Sequence, residues 1–117
     1  MSETIEDYVK NQKFEELDAN YLVAKEFFVD GDKIYKIGDD NLIDITMHHS
    51  LNQGATIVVE EGGVKSLVSY TAQETTTLLM QMCVYINLIN ASLFNKGVAL
   101  EALTEYQEIV AFDVSIP

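Results

Sequence analysis

Between Glu74 and Lys96 the chain carries no charged residue, although acidic and basic residues are plentiful on either side. Thr71-Ala-Gln-Glu74 in front of this stretch has the form of a capping box. There the threonine hydroxyl accepts the N–H of the third helical residue and the glutamate carboxylate accepts the N–H of the threonine. Lys96 suits the negative end of a helix and Gly97 suits a left-handed cap. The spacing therefore predicts one long helix over 71–96. Thr75, Leu79, Met82, Ile86, Ile89 and Leu93 recur at alternating steps of four and three, a heptad seam. Leu78, Tyr85 and Leu88 form a second stripe, Cys83, Val84 and Phe94 widen the arc, and the back holds only Thr, Gln, Asn and Ser.

A surface helix normally sets one apolar stripe against a charged back, so three readings of this segment arise. A transmembrane span needs about 20 mostly apolar residues, but this segment is interrupted by Thr, Gln, Asn and Ser and lacks basic flanks that would set topology. The central helix of a monomer is the second reading. About 25 helical residues span roughly 37 Å, however, close to the roughly 35 Å width of a compact chain of this size. Packing against further copies of the chain or a fibrous partner explains the seam and the missing charge together, and is the favoured reading. It makes Leu79, Met82, Ile86, Ile89 and Leu93 the candidate interaction residues, with Asn87 and Asn90 as hydrogen-bonding groups that fix register.

The rest of the chain reads as a single domain, 1–117, of α+β class. A small antiparallel sheet of two hairpins packs with the long helix and a short N-terminal helix. Residues 2–18 have a helical stripe of Ile5, Tyr8, Val9 and Leu17, capped by Ser2 or Thr4. From Tyr21 the period becomes two, with Tyr21, Val23, Phe27 and Val29 alternating before Asp30-Gly31, and Ile34, Tyr35 and Ile37 beyond it. Asp-Gly between β-favouring runs predicts a hairpin. Residues 41–53 are open to two readings. Ile43, Ile45 and Met47 alternate as in a strand, while Asp40 as a cap, His48 and His49 in a last turn and Gly54 beyond suit a helix; the balance leans to a strand, or a strand entering a short helix. Residues 56–59 and 64–70 flank Glu60-Glu61-Gly62-Gly63 as a second hairpin. After Gly97, 98–103 and 104–109 read as short helical or turn segments, and 110–117 as an apolar, β-favouring tail that must dock on its own sheet edge or on a neighbour.

Charge narrows the partners. Of 117 residues 19 are acidic and seven basic, all seven lysine, for a net charge of −12. Without arginine there is no guanidinium fork for phosphate or guanine, and the excess of acid repels nucleic acid and anionic membrane. Protein partners, the chain itself first among them, are expected in place of nucleic acid, membrane or a small-molecule substrate. Cys83, the only cysteine, reads as a small buried hydrophobe, and a lone thiol fits a reducing cytoplasm. The acidic N-terminus is unlike a secretory signal. His48-His49 is a poor chelate because neighbours diverge on helix or strand. Asp30, Asp32, Asp39, Asp40 and Asp44 lack the register of a calcium loop and read as solvated turn acids. No catalytic, cofactor-binding or metal-ligating set is expected, and the chain reads as a non-enzyme.

From about 39 to 114 the chain resembles a domain of bacteriophage tail-fibre and tail-fibre-assembly proteins. The resemblance lies in Tyr70-Thr-Ala-Gln-Glu74 at the start of the long helix, in Leu78, Leu79, Tyr85, Ile86, Leu93 and Phe94 along it, and in Ala99-Leu-Glu-Ala-Leu-Thr-Glu105 and Ile109 after it. It implies a phage tail or fibre component, or an assembly chaperone, working as an oligomer with a phage structural protein in the host cytoplasm or the virion. The alternative is an acidic inhibitor that mimics nucleic acid in the basic groove of a host enzyme, suggested by the net charge and the acids clustered before Asp44.

Overall fold

The computed structural model describes residues 3–117, apart from the side chains of Asp39 and Asp40. Ser2 as a cap, and Asp39 and Asp40 as cap or turn acids, therefore lie outside the described residues. The chain is an α+β fold in the order α1 (Ile5–Glu26), β1 (Phe27–Asp30), β2 (Lys33–Lys36), α2 (Asp39–Ser50), β3 (Thr56–Glu61), β4 (Val64–Ser69), α3 (Ala72–Ala102) and α4 (Tyr106–Val110). It divides into two compact units, Met1–Ala24 with Leu88–Pro117, and Lys25–Asn87.

In the unit Lys25–Asn87, a four-stranded antiparallel sheet runs in the order β1-β2-β3-β4. Both hairpins expected from the sequence are present, with Phe28 opposite Tyr35 in the first and Ile57 opposite Val68 in the second. The first turn is Gly31-Asp32, one residue later than Asp30-Gly31. Gly31 has φ +61° with Asp32 on the negative side, as a II′ turn needs. The second is Gly62-Gly63, both at positive φ, which is the I′ pattern. Alternation sends Phe28, Tyr35, Ile57 and Val59 to one face, where Ile45 of α2 and Leu78 and Met82 of α3 complete the core. The Tyr35 and Tyr70 hydroxyls lie 3.0 Å apart; burial first, and then that bond, pushes the Tyr35 phenol well above its ordinary range.

Residues 41–53 are not a strand. Up to Ser50 they belong to α2, which ends in a Schellman motif, with Asn52 at φ +54° donating to the His49 carbonyl at 3.0 Å and Gln53 to that of His48 at 2.8 Å. Asparagine tolerates the left-handed region, so the stop falls at Asn52 and not at Gly54. Gly54 has another reason to be glycine: a Cβ there would lie 1.9 Å from the Tyr70 carbonyl oxygen.

The start of α3 follows the sequence closely. Thr71 N–H donates to Glu74 Oε1 at 3.0 Å and Glu74 N–H to Thr71 Oγ1 at 3.1 Å, closing the capping box. The Thr71 N–H, first of all, holds the Glu74 carboxyl below its ordinary value. One turn on, fully buried Thr75 donates its hydroxyl to the Thr71 carbonyl at 2.8 Å and accepts the Ala55 N–H at 3.0 Å. That second bond fastens the residue leading into β3 to the helix.

In the unit Met1–Ala24 with Leu88–Pro117, α1 begins with a second reciprocal cap. Asp7 N–H donates to Thr4 Oγ1 at 3.1 Å, and Thr4 N–H to Asp7 Oδ2 at 3.4 Å. The helix continues well past residue 18, so Tyr21 and Val23 are helical and not part of a strand. Leu17, Tyr21 and Ala24, at i, i+4 and i+7, face inward, while Leu22 and Val23 point out; the short alternation imitated a strand. The Tyr21 hydroxyl donates to Asn90 Oδ1 at 2.5 Å. Helix α3 likewise passes through Gly97 to Ala102. Burial of Leu100 outweighs the roughly 1 kcal/mol cost of glycine within a helix.

The C-terminal residues form no strand. The Val114 carbonyl accepts from Asn20 Nδ2 at 2.9 Å, and Lys96 Nζ donates to the Ser115 carbonyl and lies 3.8 Å from Asp113 Oδ2. Asp113 is held below the usual carboxylate range by the Ser115 N–H first and by Lys96 as a lesser cause. Lys96 thus secures the tail instead of closing the last turn of α3.

Thr75→Val keeps the volume of the side chain but leaves the buried Ala55 N–H without an acceptor. It is expected to cost about 1–3 kcal/mol in denaturant unfolding, whereas Thr77→Val, at an exposed position on the same helix, is expected to change stability by less than about 0.5 kcal/mol.

Candidate interaction surface on the long helix

Within the unit Lys25–Asn87, α3 has a buried apolar face and an exposed one. Leu78 and Met82 are buried in the unit Lys25–Asn87, and Ile89 and Leu100 in the other unit. Of the residues expected to mediate interaction, Met82 and Ile89 have no exposed surface at all. Leu79 and Ile86 are partly buried and packed against the sheet's core, and Leu93 is partly buried. Met82 and Ile89 of that seam are therefore covered by the chain's own residues, and Leu79, Ile86 and Leu93 only in part. Asn90 accepts the Tyr21 hydroxyl, and Asn87 is exposed.

The sequence predicts a back of Thr, Gln, Asn and Ser only, but the exposed side of the helix carries apolar residues as well. Met80 is 64% exposed and Val84 70% exposed, and Cys83, expected to be buried, lies exposed beside them. In the other unit Leu88 is 54% exposed. The step of four from Met80 to Val84 keeps these two side chains on one stripe. The signal was available in the sequence, since Val84, Cys83 and Leu88 widen the apolar arc beyond what a single buried seam requires. By length and composition α3 is also apolar enough to cross a bilayer.

The sheet has an open face as well. Phe27, Val29, Val58 and Leu67 lie there with large exposed surfaces, among Lys36, Glu60 and Lys65. This face mixes charge with apolar area, whereas the outward stripe of α3 has no charge.

No reactive constellation accompanies these surfaces among the described residues. His48 Nδ1 lies 2.8 Å from the Asp44 carbonyl oxygen, and His49 Nδ1 lies 3.0 Å from Thr76 Oγ1, so the two rings have separate partners. No group of three His, Cys, Asp or Glu side chains converges among the described residues.

Comparison with protein-family models, with curated proteins and with solved structures finds no match to this chain.

The two faces of α3 predict opposite responses to substitution. Met82→Ala and Ile89→Ala are each expected to destabilise the fold by about 2–5 kcal/mol. Val84→Thr on the outward stripe is expected to shift stability by less than about 0.5 kcal/mol, as read by urea unfolding.

Proposed function

We propose that this chain is a non-enzymatic assembly protein that associates with copies of itself through the outward stripe of α3. The observation that carries the reading is the exposed, charge-free apolar run at Met80, Cys83 and Val84. Contiguous exposed apolar surface on a folded chain marks an interaction site more often than an accident of composition. Charge indicates the partner. Two chains of net charge −12 repel each other over most of their surfaces, so close approach is least opposed where no charge lies. A tail-fibre component or assembly chaperone of a bacteriophage is the setting that the resemblance of residues 39–114 suggests.

Cys83 provides an internal probe of this contact. In the self-associated protein its thiol is expected to react with a disulfide reagent at least about tenfold more slowly than in Val84→Glu, which places a charge within the stripe. The thermal midpoint of Val84→Glu is expected to stay within a few degrees of the parent, because residue 84 is mostly exposed. Equal thiol reactivity in the two proteins would contradict the proposal.

A further inference from the structure

We propose that a trough between α1 and the C-terminal part of α3 is a docking site for a basic amphipathic helix of another protein. The trough lies within the unit Met1–Ala24 with Leu88–Pro117 and encloses about 610 Å³. Buried Leu17 and partly buried Phe14 contribute from α1, and Phe94 and Val98, 70% and 57% exposed, from α3. Gly97 lies in the α3 wall, and a Cβ built on it meets nothing within 4 Å, so the missing side chain leaves the wall open. The lining on α3 extends from Leu93 to Ala102, about 14 Å of helix. That length matches two to three turns of a helix inserting anchors at i, i+3 or i+4, and i+7.

Each helix also contributes a carboxylate, Asp18 from α1 and Glu101 from α3. Neither has an ion-pair partner among the described residues, and the nearby lysines are otherwise engaged. Lys10 Nζ donates to the main-chain carbonyl of Glu101 at 3.0 Å, and Lys13 lies 4.0 Å from Glu16 and donates to the Phe112 carbonyl. An apolar floor with an acid on each side, neither in an ion pair among the described residues, suits an occupant with an apolar face flanked by cations. A second copy of the chain is a poor occupant, because its other helices present acids such as Glu15, Asp44 and Glu108. The chain's own tail is held elsewhere by Asn20 and Lys96. This inference does not depend on self-association, since the trough and the outward stripe share no residue.

The test uses the full chain and a dye-labelled synthetic helical peptide of leucine and lysine, read by fluorescence anisotropy at physiological salt. Two control peptides replace every leucine by serine or every lysine by glutamate. The leucine–lysine peptide is expected to bind, with both controls at least tenfold weaker. Gly97→Leu fills the trough without changing charge and is expected to weaken binding at least tenfold while circular dichroism and melting are retained. The pair Asp18→Asn and Glu101→Gln is expected to weaken binding and flatten its salt dependence. Should Gly97→Leu fail to fold, Val98→Gln provides the same comparison. Binding of the leucine–lysine peptide that is unchanged in a folded trough variant would show attachment by diffuse charge and overturn the proposal, as would equal binding of the glutamate peptide or no binding at all.

Discussion

Burial of apolar side chains from α3 underlies each of the two units. In the unit Lys25–Asn87 the sheet presents Tyr35, Ile57 and Val59 together with Leu78 and Met82. In the other unit Leu17 and Ile109 are buried with Ile89 and Leu100. The absence of charge between Glu74 and Lys96 lets α3 supply buried side chains to each unit. Thr75 fixes the register at the start of this arrangement. Its hydroxyl is the acceptor for the Ala55 N–H, and through that bond the position of β3 is set against the helix.

The parts of the fold most legible in the sequence are those where local chemistry and packing agree. The capping box at Thr71 and Glu74 is formed as its spacing implies, and the glycines of both hairpins adopt the positive φ that their turns require. Misreadings arose where two periods coincide over a few residues. Tyr21 and Val23 alternate like a strand, but Leu17, Tyr21 and Ala24 form the helical stripe that packing selects. Ile43, Ile45 and Met47 alternate too, and only Ile45 of the three is buried, as a helix allows. Gly97 looks like a stop, yet the buried surface beyond it at Leu100 prolongs the helix. Local propensity is a weak prior against burial of this kind.

The interaction surface was harder to read for a different physical reason. A heptad seam shows that a helix will be covered but not by what. Met82 and Ile89 are covered by the chain itself, which leaves Met80, Cys83 and Val84 on the other side. A helix whose back were polar would need nothing further. Here the back carries apolar side chains as large as those of the core, exposed and without charge. Charge elsewhere separates the two proposed surfaces: the stripe suits a copy of the same acidic chain, and the acid-rimmed trough suits a cationic one.

The central claim, that the outward stripe of α3 joins copies of this chain, is tested most directly by the mass in solution. Light scattering on the full chain over a wide concentration range should give a multiple of the 13.1 kDa chain mass, falling to one chain in Val84→Glu. A mass of one chain at every concentration would contradict the account.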